Sequence, residues 1–155
     1  MKAVVIGVGN AYRRDDAVGL AVVESLRDRL PLGVAAFPSE DEPSRLLDAW
    51  EGAASAVVVD AVSAGSEPGT IHRFDASSEA IPAGVFRSST HAFGVGEAIE
   101  LARALGRLPT HMLVFGVEGR EFGSGEGLTA PVEAAVTTVA EAVLRELESL
   151  TGEEG

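Results

Sequence analysis

The sequence contains no cysteine. That excludes a disulfide framework, a thiol nucleophile, iron–sulfur ligation and any zinc site built on thiolates. Basic residues are scarce: twelve Lys and Arg stand against twenty-four Asp and Glu, a formal charge of −12 at pH 7. A phosphate backbone is held by clustered cations, so nucleic acid is excluded as a partner, whereas a polypeptide is not. No apolar run approaches the ~18 residues of a membrane helix. The opening MKAVVIGVGN lacks the length and the small-residue cleavage pattern of a signal peptide. The expected location is therefore the cytoplasm, with no membrane partner.

What is present is an ordinary globular composition, 46% hydrophobic and 23% charged over 155 residues. This length predicts one domain over residues 1–150 followed by a frayed tail at 151–155, with a core that needs no disulfide or structural metal. Apolar strands alternate with amphipathic helices. Ala3–Ile6, Val34–Phe37, Ala56–Val59, Thr70–Phe74 and Met112–Val117 read as strands. The three runs AVVI, AVVV and MLVFGV are continuously apolar, as in strands covered on both faces. Helical spacing predicts helices over Asp16–Leu30, Ser44–Trp50 and Ala92–Leu105, and a final helix behind Thr129 and Pro131 carrying Val132, Val136, Val139, Val143, Leu147 and Leu150 on one stripe. The alternation predicts an α/β three-layer sandwich, a twisted and mainly parallel sheet with helices on both faces. In such sheets ligands bind beyond the carboxyl ends of the strands.

Three features follow predicted strands or precede a helix. After the first strand comes GVGNAYRRDDAVG, residues 7–19. A dinucleotide fingerprint requires a third glycine where this chain has Tyr12, and Asp15 and Asp16 stand where a diphosphate needs positive potential. One of these aspartates suffices to cap the helix and offset its dipole, which leaves the other for chemistry. Asp60 follows the third strand, either opening a turn or meeting a ligand. His91 lies in Ser88-Ser89-Thr90-His91 just before a helix, where it is either a polar first-turn residue or a ligand. His72, in mid-strand, and His111, at the opposite end of its strand, read as surface residues. Asp16, Asp60 and His91 together make two carboxylates and an imidazole, a ligand set for a borderline divalent metal. HExxH is absent, and the stretch around Ser124 lacks the first glycine of a nucleophile elbow.

Gly7-x-Gly9-Asn10 with Asp15-Asp16 and Gly19 resembles the opening signature of the hydrogenase maturation proteases. Val57–Val62 with Gly65 and Pro68-Gly69-Thr70 is similar to the middle motif of that family, Ser89-Thr90-His91 with Gly94 to its histidine block, and Phe115–Glu118 to its fourth. The blocks fall in family order across residues 4–119. The resemblance implies an endopeptidase that removes the C-terminal extension of the nickel–iron hydrogenase large-subunit precursor. It implies that Asp16, Asp60 and His91 are the catalytic, metal-contacting residues. It also implies that the metal is nickel supplied by the precursor and used as the sign that loading is complete. Asp16 stands where many relatives carry Glu, Ala17 where Gly is common, and Gly119 where Pro is common. Two other readings remain open on the sequence: a noncatalytic nickel- or large-subunit-binding chaperone, and a nucleotide-binding domain.

Overall fold

The computed structural model describes residues 3–40, 45–82 and 94–152. Five strands form one sheet: β1 (Ala3–Val8), β2 (Val34–Ser39), β3 (Ser55–Val62), β4 (Ile71–Asp75) and β5 (His111–Glu118). Their order is β2-β1-β3-β5-β4, with every pairing parallel except β4 on β5. The helices are α1 (Val18–Leu26), α2 (Leu46–Ala49), α3 (Val95–Ala104) and α4 (Ala130–Gly152), and a 3-10 turn, Arg14–Ala17, leads into α1. The expected α/β sandwich with helices on both faces is what the chain forms.

Each central strand is buried throughout β1 and β3, and alternate residues feed two cores. Val4, Ile6, Val58 and Val114 point toward α2 and α3, together with Leu46, Trp50 and Ile99. Val5, Val57, Val59 and Phe115 point toward α1 and α4, meeting Val22, Leu26, Val139, Val143 and Leu147. Two-sided burial explains why these strands read as unbroken apolar runs. No helix among the described residues is long and apolar enough to cross a membrane.

Several boundaries differ from the sequence expectation. The first helix opens as a 3-10 turn and α1 ends at Leu26, with Arg27–Arg29 turning away although Leu30 still packs on the core. The third strand runs on through Asp60 to Val62, so Asp60 is a strand residue paired with Gly116 and opens no turn. The expected starts of the second and third helices, at Ser44 and Ala92, lie outside the described residues.

Strand order reverses between β1 and β3, which leaves a crevice at their carboxyl ends. Glycine brings α1 down onto this point. A Cβ on Gly19 would collide with the carbonyl oxygens of Val59 and Val8, and one on Gly9 with the carbonyl oxygen of Asp16. The close approach of helix, turn and strands therefore depends on the missing side chains.

Candidate active site at the carboxyl ends of β1 and β3

Asp16 sits in the 3-10 turn, 6% exposed, and its Oδ2 accepts the backbone N–H of Asn10 at 3.0 Å. Asp60 is 4% exposed near the end of β3, with Oδ1 accepting the N–H of Ala61 at 2.8 Å. Burial pushes the Asp60 carboxyl well above its ordinary range, and the negative charge of Asp16 adds to the rise, against the N–H of Ala61, which lowers it. The two carboxyl groups thus share one electrostatic environment. A neutral carboxyl beside an anionic one offers a proton donor and an acceptor, and with both anionic the pair supplies oxygen ligands to a cation. Among the described residues no group of three or more His, Asp and Glu is gathered closely enough to hold a metal. His91, the third expected member, lies outside the described residues.

Asp15 has a different use from its neighbour. It is fully buried. Oδ2 accepts the N–H of Arg120 at 2.8 Å, that of Glu121 at 3.0 Å and the hydroxyl of Thr129 at 2.8 Å, while Oδ1 accepts the N–H of Thr129 at 2.7 Å. Burial alone would raise its pKa, but the hydrogen bonds from Glu121, Thr129 and Arg120 outweigh burial and hold it below the ordinary value. Asp15 therefore fastens the glycine-rich stretch 119–129 to the turn that carries Asp16. Backbone bonds from Arg14 to Gly125 and from Gly125 to Tyr12 continue the seam. Arg14 adopts a left-handed φ of 50°, and its Nε donates to the carbonyl of Gly127 at 2.8 Å. Arg13 Nε donates to the carbonyl of Phe122 at 3.2 Å. The two arginines bind the chain's own carbonyls, and Gly9 makes room for the Asp16 backbone, so the details of this loop serve its own packing. These uses count against the dinucleotide reading, in which the same groups would face a pyrophosphate.

His111 is exposed at the start of β5, the end away from the carboxyl edge. His72 differs from its surface reading. Its side chain is 23% exposed, its Nε2 lies 3.4 Å from Oε1 of Glu118, and its ring stacks on Phe74 with centroids 6.3 Å apart. Glu118 is itself 3% exposed and accepts the N–H of Ala64 at 2.9 Å.

A fold of this order, with buried carboxyl groups meeting at its switch point, belongs to a class of α/β proteins whose chemistry is done at the strand ends. Comparison with known proteins makes the class specific. The family profile described as HycI, hydrogenase maturation protease, matches residues 41–146. The hydrogenase 2 maturation protease of Escherichia coli K12 is 31% identical over 152 residues, covering 95% of this chain and 91% of that protein. The hydrogenase expression/formation protein HupD of Thiocapsa roseopersicina is 30% identical over 146 residues, covering 92% of this chain and 66% of that longer protein. The solved structure of the hydrogenase maturating endopeptidase HybD from E. coli superposes with a TM-score of 0.80 at 26% identity, covering 96% of this chain and 93% of that one. The chain belongs to the hydrogenase maturation protease family, a family of endopeptidases.

Proposed function

We propose that this chain removes the C-terminal extension of a nickel–iron hydrogenase large-subunit precursor after nickel insertion, and that Asp16, Asp60 and His91 contact the nickel that the precursor carries. On this reading nickel is part of the substrate. The observation that carries the proposal is the burial of two carboxyl groups, on separate elements, close enough for the charge of one to raise the pKa of the other. Such a pair is unfavourable as two anions and becomes favourable when a divalent cation stands beside it. Asp60, protonated more readily than an ordinary carboxyl, gives up its proton as the loaded precursor docks. An empty precursor offers no such gain, which provides a physical basis for acting only on loaded substrate.

The absence of cysteine fits the same reading. Soft thiolates would compete for nickel, whereas carboxylates and one imidazole approach a metal held mainly by the substrate without stripping it away. The nickel fixes the peptide segment in place, and proximity accounts for much of the rate such a site must supply.

The test is incubation of the full chain with nickel-loaded and nickel-free large-subunit precursor, followed by mass measurement. Loss of a C-terminal peptide from the loaded form alone is the expected result. Binding without shortening would replace the proposal with the noncatalytic chaperone reading. His91→Ala and Asp60→Asn are each expected to abolish cleavage with the fold intact, and full activity in either would remove that residue from the site.

A further inference from the structure

The carboxyl edge of the sheet carries a second polar pair that the proposed site does not use. Asp60 pairs with Gly116 across β3 and β5, and Gly116 pairs with His72 across β5 and β4. The three residues therefore lie in one row. They also lie on one face. Val58, Val62 and Val114 line the core under α2 and α3, Phe74 packs against it, and strand alternation puts Asp60, Gly116, Glu118 and His72 on that same side. Gly116 contributes no side chain between Asp60 and His72. Two strand spacings separate the backbones of Asp60 and His72, roughly 9–10 Å.

His72 is fixed. Phe74 stacks on one side, and the buried Glu118 faces Nε2. The second oxygen of Glu118 takes the N–H of Ala64, which ties the β3–β4 connection to the end of β5. A carboxylate at Nε2 favours the tautomer with its proton on that nitrogen, which leaves Nδ1 as an acceptor. No hydrogen bond joins Nδ1 to a described residue.

We propose that His72, oriented by Glu118, contacts the polypeptide substrate on the β4 side of Asp60, with Nδ1 accepting a backbone N–H of the segment that carries the scissile bond. This rests on the endopeptidase reading above. In sheet order β1-β3-β5-β4, Asp16 flanks Asp60 on one side and His72 on the other. An extended peptide crossing the strand ends advances about 3.3 Å per residue, so His72 meets a substrate residue about three positions from the one at Asp60. The sheet thus supplies a site for the metal-bearing part of the substrate and a separate hold on the chain beside it.

The experiment uses the full chain, nickel-loaded large-subunit precursor, and the variants His72→Ala and His72→Asn. Precursor affinity is read by biolayer interferometry and peptide release by mass spectrometry over a range of precursor concentrations. His72→Ala is expected to weaken precursor binding and raise KM about ten-fold, the loss of one hydrogen bond, with kcat within about two-fold of wild type. His72→Asn, which sets an amide near the position of Nδ1, is expected to restore part of the affinity. Unchanged Kd and KM in His72→Ala would overturn the inference, as would a fall in kcat alone. If the wild type binds precursor without cutting it, the endopeptidase reading fails while the Kd comparison still decides the role of His72. If the wild type neither binds nor cuts, both fail.

Discussion

Asp15→Asn probes how the glycine-rich stretch is held to the site. The native carboxylate accepts three backbone N–H groups and one hydroxyl, all from residues 120, 121 and 129. Asparagine has the same shape but only one acceptor oxygen. With that oxygen in the Oδ2 position, the amide NH2 faces the N–H of Thr129, so one bond becomes a donor–donor contact. The other three change from charged to neutral acceptors. Bonds to a charged group contribute about 1.5–3 kcal/mol and neutral ones about 0.5–1.5, so three weakened bonds and one lost bond put the total loss at about 4–7 kcal/mol. For a chain of this size the melting temperature should fall by roughly 10–20 °C at neutral pH. The sign of the pH dependence follows from the lowered pKa. The stabilisation from Asp15 is complete above the unfolded value of about 3.9 and is lost as pH falls through the lower folded value. Thermal unfolding followed by circular dichroism should therefore show a wide gap between wild type and Asp15→Asn near pH 7, narrowing in strong acid. A gap of less than about 2 °C at neutral pH would refute the role given to Asp15.

Asp60→Asn should move stability the other way. A raised folded pKa means that Asp60 contributes stability below the unfolded value of about 3.9 and loses it as pH rises through the folded value, so the variant should melt higher than wild type at pH 7 and the difference should vanish in acid. A lower melting temperature at pH 7 would contradict the electrostatic account. Gly19→Ala should destabilise by at least about 1–3 kcal/mol and lower cleavage, because its methyl group has only the backbone of Val59 and Val8 to occupy; an unchanged denaturant midpoint would disprove that close contact. Arg29→Ala, which removes a half-exposed ion pair with Glu141, should shift stability by no more than about 1 kcal/mol in a urea titration. A larger loss there would mean that the α1–α4 contact depends on charge more than on Val22, Leu26 and Val143.

The strands and the order of elements were legible because β1, β3 and β5 are buried on both faces and carry unbroken apolar runs. Asp60 was legible as a candidate because it ends an apolar run, and Asp16 because two adjacent acidic residues follow the first strand where one suffices to cap a helix. The continuation of β3 through Asp60 was hidden, since a charged residue interrupts the run that marks a strand. Local sequence offered only helix capping for one of the two aspartates, because the partners of Asp15 lie more than a hundred residues away. The pairing of His72 with Glu118 depends on β4 lying antiparallel against β5, a long-range choice that the local pattern TIHRF does not contain. Adjacent acidic residues and a mid-strand histidine were the visible signals; their partners required the tertiary structure.

The seam between the turn at Arg14–Ala17 and residues 120–129 also sets an order of events during synthesis. The turn precedes the residues that hold Asp15 by more than a hundred positions, so it is synthesised well before its anchors. Until then the turn lacks the anchors that hold Asp15. A nascent chain can form much of the sheet while its active edge is still incomplete. The edge that carries Asp16 is thus completed by a segment made later in the chain rather than by its own sequence neighbours.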